Sequence, residues 1–282
     1  MAQSPPAQPL PEQTYEGREK RERPWLNVLL ALFYLALLAA LVFWPEATLI
    51  ERLRWLDSGI CAQQPSHSFF PGGQQLPLCA RNTGIYLGFI VTLLTLIASG
   101  RGRVQKLPRW PVIVVLLAGV LAMAIDGFNS LYLDLGLPHL YQPHNLLRLI
   151  TGLATGLALA TLSLPIVNYL FWRESNERRS VESWGALLLL LPGLVISFFA
   201  VASQSWMILY PIALLSTAGL LSVVSGINLM IIVAVSRRDQ TFERYRELLP
   251  FFSLALLFAI GELLLLAQLK FAVLQALGLP GM

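Results

Sequence analysis

The chain has 282 residues, of which 56% are hydrophobic and only 13% charged, with mean hydropathy +0.63 and a formal net charge of +4. A soluble domain carries about 25% charged residues, so these values exclude an ordinary soluble enzyme. Basic loops beside a bilayer account for the positive charge without a nucleic-acid partner.

Residues 1–24 are rich in Pro, Gln and charge and too polar to bury a core, which predicts a disordered tail. Long apolar runs follow, matching the roughly 20 residues a helix needs to cross about 30 Å of hydrocarbon. They predict seven spans: Trp25–Trp44, Gly84–Ser99, Trp110–Phe128, Leu147–Trp172, Trp184–Ser203, Met207–Ser236 and Leu249–Leu269. The second is short, so its start is expected somewhat upstream. The first has no small-residue cleavage site after it and reads as a retained helix. Trp25, Trp44, Trp110, Trp172, Trp184 and Trp206 mark span ends, where aromatic rings prefer the headgroup zone.

Orientation follows from the basic residues. Arg18, Lys20, Arg21, Arg23, Arg101, Arg103, Lys106, Arg109, Arg173, Arg178, Arg179, Arg237, Arg238, Arg244 and Arg246 fall on one side. Only Arg52, Arg54, Arg81, Arg148 and Lys270 fall on the other. The positive-inside rule then predicts a cytoplasmic N-terminus and an external C-terminus. The expected architecture is an all-α, polytopic transmembrane bundle in a prokaryotic cell membrane. It divides into the tail (1–24), a first helix with linker (25–56), a core (57–172) and a C-terminal set of helices (173–282).

This topology gathers the polar chemistry at the external side. Cys61, Cys79, His67, His139, His144, Arg81, Asn82, Asn145 and Arg148 all lie there, with Asp126 near the outer end of its span. The stretch "CAQQPSHSFFPGGQQLPLCARNTGIYLG", with "AMAIDGF" and "NLLRLITGLATG" further on, resembles a prokaryotic membrane family known as domain of unknown function 2085. The resemblance covers residues 57–172. It rests on Cys61, Gln63, Pro65, Ser68, Phe69, Cys79, Arg81, Thr83, Gly84, Tyr86, Gly88, Asp126, Gly127, Asn145, Arg148, Thr151 and Gly152. Ala62, His67 and Asn82 depart from the family pattern, which has His, Arg and Cys there. The resemblance supplies candidate residues and no mechanism.

Of three readings of the cysteines, a disulfide is the expected one. A disulfide would close a loop of about 18 residues and stabilise it by roughly 3 kcal/mol in the chain-entropy model. Free thiols are the second. The third joins Cys61 and Cys79 with His139 and His144 around zinc, although the cysteine spacing matches no common zinc motif. No other cofactor is expected.

The charges read as either structure or site. Asp126 can pin helices by pairing with Arg81 or Arg148. Alternatively the two arginines, oriented by Asp126 and joined by Asn82 and Asn145, form an external pocket for a small anion or an anionic lipid headgroup, since guanidinium forks suit carboxylate and phosphate oxygens. Two small-xxx-small motifs, Gly84/Gly88 and Gly152/Gly156, lie just below Arg81 and Arg148 and predict that these two helices pack closely. His67-Ser68 with Asp126 could form a hydrolase triad, but no nucleophile-elbow motif supports it. Glu262, isolated within the last span, predicts a partner such as Asn228, or a proton- or cation-coupled transporter. An outward-facing enzyme using metal or thiol redox chemistry is the remaining alternative.

Overall fold

The computed structural model describes residues 24–43, 48–174 and 176–277; the predicted tail lies outside them apart from Pro24. Helix α1 (Pro24–Phe43) is apolar and 20 residues long. Among the described residues six segments are long and apolar enough to span a bilayer. They are α3 (Ala80–Ala98), α4 (Trp110–Asp134), α5 (Asn145–Phe171), the segment Trp184–Ser203, the segment Trp206–Val235 and α9 (Tyr245–Ala276).

Within Trp184–Ser203 the chain makes two helices, α6 (Trp184–Leu188) and α7 (Leu191–Ser203), with Pro192 just inside the second. Trp206–Val235 starts with a single 3₁₀ turn before α8 (Leu209–Val235). Helix α3 begins four residues ahead of the apolar run, as its shortness suggested.

The central pair is α3 and α5, the most extensively packed in the bundle. A Cβ at Gly84 would stand 2.5 Å from the Leu149 carbonyl oxygen, and one at Gly152 2.4 Å from that of Arg81. One at Gly156 would stand 2.2 Å from the Ile85 oxygen. Only glycine permits this approach, which brings the predicted helix pair together. Helix α4 flanks α5, while α8 lies against the other side of α3, where Gly219 faces the Tyr86 backbone. Helix α8, from the C-terminal set of helices, therefore meets the core directly.

At the basic end, β1 (Val104–Lys106) pairs in parallel with β2 (Asn176–Arg179). Asn168 donates to the carbonyls of Gly102 and Val104 at 3.1 and 2.8 Å, tying the first loop to α5. The Arg103 guanidinium stacks over Trp172 and Tyr245, 4.1 and 4.6 Å from the ring centres. Basic loops that would repel one another are thus held by backbone pairing and by aromatic faces.

At the opposite end, residues 49–56, read as linker, form with Asp57 the amphipathic helix α2 (Leu49–Asp57). It starts with a reciprocal capping box between Thr48 and Glu51, a device that satisfies two backbone N–H groups a short helix would otherwise leave open. Its buried face, Ile50, Leu53 and Asp57, turns toward α8 and α9, and Gly59 lets the chain pass against the Leu263 backbone.

Candidate functional site

The loop between α2 and α3 docks through polar contacts. Asn145, the first residue of α5, donates to the Ser66 and Ser68 carbonyls at 3.2 and 3.1 Å. From the end of α7, Gln204 accepts from the N–H groups of Gly72 and Phe70 at 3.1 and 3.2 Å. Gln63 is buried in a left-handed conformation (φ 55°). Its amide donates to the carbonyls of Arg54 and Pro77 at 2.7 and 2.6 Å, which holds a backbone angle that non-glycine residues rarely adopt.

Beneath this cap lies the charged cluster. Arg81, from the first turn of α3, pairs with Asp126 of α4 at 2.5 Å and also donates to Ser130 at 3.2 Å. The Tyr141 hydroxyl donates to the other oxygen of Asp126 at 3.0 Å. Asp126 is 1% exposed and so fully committed to these donors. Burial and the Asp126 charge push the Tyr141 phenol above its ordinary range, keeping it a donor.

Arg148 of α5 differs. It is 4% exposed, donates to Asn145 Oδ1 at 2.7 Å and to Ser130 at 3.4 Å, and has no acidic group within ion-pair distance among the described residues. Its Nε has no hydrogen-bond partner. It lines a pocket of about 410 Å³ together with Ser66, Ser68, His144, Asn145 and Gln204. A second hollow of about 340 Å³ lies further along the same two helices, between α5 and α7, lined only by apolar side chains including Ile150, Leu153, Phe198 and Phe199.

Four of the five residues read from sequence as one site thus converge: Arg81, Asp126, Asn145 and Arg148. Asn82 does not. Successive helical residues point about 100° apart, so Arg81 faces α4 and α5 while Asn82 turns to the cysteines, its side chain against the Cys61 sulfur. The cysteines are free thiols in the structure, with sulfurs 3.4 Å apart, so the expected bridge is not formed there. The Cys79 N–H donates to the Cys61 sulfur at 3.3 Å.

Zinc ligation by Cys61, Cys79, His139 and His144 fails on geometry. Cys61 packs among Leu78, Leu220 and Leu263, His139 contacts Leu137 and Gln142, and His144 caps α5 through the Leu146 N–H. Among the described residues no three His, Cys, Asp or Glu side chains gather as a metal site. The hydrolase triad fails too. His67 pairs with Asp134 at 3.3 Å, Ser68 donates to the Gln64 carbonyl, and Asp126 serves Arg81. Burial and the two nearby arginines lower the His67 imidazole below its usual value, opposed by Asp134. Glu262 does find Asn228, which donates to it at 3.0 Å.

Sequence reading gave Asp57 no role, yet it is buried in full and accepts from Thr217 of α8 at 2.8 Å. Burial pushes its carboxyl up to about 8. An acid ending a short helix whose other buried residues are Ile50 and Leu53 was the available signal.

The helical arrangement and its apolar spans define an all-α, multi-pass membrane protein. The sequence profile of a family described as a predicted membrane protein, DUF2085, matches residues 61–162. An uncharacterized protein of Methanocaldococcus jannaschii is 30% identical over 151 residues, which cover 53% of this chain and 89% of that one. An uncharacterized protein of Methanothermobacter thermautotrophicus is 35% identical over 107 residues, 37% of this chain and 84% of the relative. The chain belongs to the DUF2085 family. No solved structure matches it.

Proposed function

We propose that the protein binds an anionic lipid, with the phosphodiester on Arg148 and Asn145 and an acyl chain in the groove between α5 and α7. The end that carries the cysteines faces outward and the basic end faces the cytoplasm, following the distribution of Lys and Arg. The observation that carries the reading is Arg148 itself: a buried guanidinium that lines a polar pocket without a carboxylate of its own. Burying a cation is costly unless it is paired, and a phosphate oxygen supplies the missing partner. Arg81 is already neutralised by Asp126 and holds Ser130 in place for Arg148. The apolar groove further along α5 and α7 favours a lipid over a free anion. In this reading the Cys61–Cys79 pair, when closed as a bridge, fastens the loop that roofs the pocket.

The test is native mass spectrometry of the detergent-solubilised protein titrated with phosphatidylglycerol, phosphatidylcholine or inorganic phosphate. A hydrogen bond to a charged group contributes about 1.5–3 kcal/mol, so Arg148→Gln is expected to weaken phosphatidylglycerol binding roughly 10- to 100-fold. Binding unchanged by R148Q, with the fold intact by tryptophan fluorescence, refutes the site. Phosphate binding as tightly as phosphatidylglycerol would assign the pocket to a small anion instead.

A further inference from the structure

We infer that Cys61 and Cys79 form a redox-active dithiol site that exchanges with external disulfides, a role independent of the lipid pocket. The geometry is that of a built site. The sulfurs lie 3.4 Å apart, so a bond between them needs only a small approach. Cys79 is the N-cap of the 19-residue helix α3, where backbone N–H groups gather positive potential. The Cys79 N–H, the Gln63 N–H and the Asn82 amide all face the Cys61 sulfur, and the Asn82 N–H faces that of Cys79. The left-handed turn at Gln63, clamped by its two side-chain hydrogen bonds, fixes Cys61 against this helix start.

These donors, with the Cys79 thiol first among them, bring Cys61 down to about 6, while Cys79 is pushed up by its hydrogen bond to Cys61 and by burial. The pair therefore holds one proton at neutral pH, shared between two sulfurs. The charged and titratable groups facing it are Asp57 from α2, Arg81 and Tyr86 from α3, and Lys270 from α9, whose ammonium donates to the Cys61 carbonyl at 3.1 Å. Asp57 is neutral at pH 7, which leaves the thiolate without a like charge beside it.

Cys79 is the more exposed residue of the pair and Cys61 the more buried, at 3%. An incoming disulfide R–S–S–R meets Cys79 once the shared proton sits on Cys61. The Cys79 sulfur bonds to one sulfur of the disulfide, and the other leaves as RS⁻. Cys61 then gives up its proton and attacks the Cys79 sulfur, and the second RS⁻ leaves. Two protein sulfurs are oxidised and one disulfide is reduced; the pair's one proton ends on one released thiol, and the other sulfur leaves as RS⁻ or takes its proton from water. A dithiol running the sequence backwards regenerates the pair.

The experiment equilibrates the full-length protein in detergent with glutathione buffers spanning reduced to oxidised ratios, followed by acid quench, alkylation and mass measurement. The oxidised fraction is expected to rise from near zero to near one across the series and to return when the ratio is reversed. Iodoacetamide labelling of the reduced protein is expected to show a thiol with a midpoint near pH 6. Asn82→Ala raises that midpoint by about one pH unit, the loss of one hydrogen bond to a charged sulfur. A pair that stays oxidised at every ratio is a structural bridge, and one that stays reduced at every ratio is inert packing; either overturns the inference. So does labelling of both thiols with the ordinary midpoint of about 8.5. None of these results depends on Arg148.

Discussion

Replacing Gly156 by alanine tests the packing on which both sites depend. Its added Cβ would fall 2.2 Å from the Ile85 oxygen and 2.6 Å from the Phe89 nitrogen, both backbone atoms that cannot rotate away. Restoring ordinary contact at 3.4 Å requires α3 and α5 to part by about 1 Å over that stretch. Overpacking of this kind costs about 1–3 kcal/mol. Alanine returns up to about 1 kcal/mol through helix propensity, so a net loss of about 1–2 kcal/mol is expected. Gly226 in α8 and Gly261 in α9 are matched controls, because a Cβ at either meets nothing within 4 Å. Their alanine variants should be neutral or slightly stabilising. The assay is unfolding of the purified protein in mixed micelles with rising dodecyl sulfate, followed by tryptophan fluorescence. Loss at Gly156 no larger than at Gly226 would refute the claim that glycines set the helix separation.

Two further outcomes follow from buried acids. Asp57 binds a proton in the fold that the unfolded chain releases, its carboxyl moving from 3.8 up to about 8. Stability from this group is therefore full below about pH 4 and declines as pH rises to about 8, by up to about 6 kcal/mol at about 1.4 kcal/mol per tenfold change. Asp57→Asn should flatten the dependence of the unfolding midpoint over that window, and an unchanged slope would refute it. Asp126→Ala strips Arg81 of its carboxylate and Tyr141 of its acceptor, and removing one partner of a buried pair costs about 3–5 kcal/mol. The same unfolding assay should show D126A well below wild type, whereas a shift no larger than that of an exposed substitution such as Glu177→Ala would show that the pair carries little stability.

Hydropathy was enough to place the long spans, because a bilayer forces apolar runs of one length whatever the sequence does elsewhere. The Gly84/Gly88 and Gly152/Gly156 spacings were legible for the same kind of reason: close helix approach has few chemical solutions. The convergence of Arg81, Asp126, Asn145 and Arg148 followed from depth, since each sits near the same end of its helix. Nine-residue α2 escaped notice because hydropathy windows are tuned to longer runs, although Thr48 and Glu51 spelled its start. The pairing of β1 with β2 joins residues far apart in the chain, for which no local pattern exists. Asn82 was misplaced by treating neighbours in sequence as neighbours in space, where the helical turn separates them. Asp57 was missed because its burial is conferred by α8, not by its own surroundings.

Cys79, Arg81 and Asn82 occupy the cap and first turn of one helix, yet serve two chemistries on different faces of it. What matters there is angular phase. Deleting a single residue ahead of Arg81 would swing every later side chain by about 100°, presenting Asn82 to Asp126 and withdrawing the guanidinium altogether. The start of α3 therefore tolerates exchange of side chains far better than any change in length. A variant that shifts this register should lose the thiol site and the arginine cluster together.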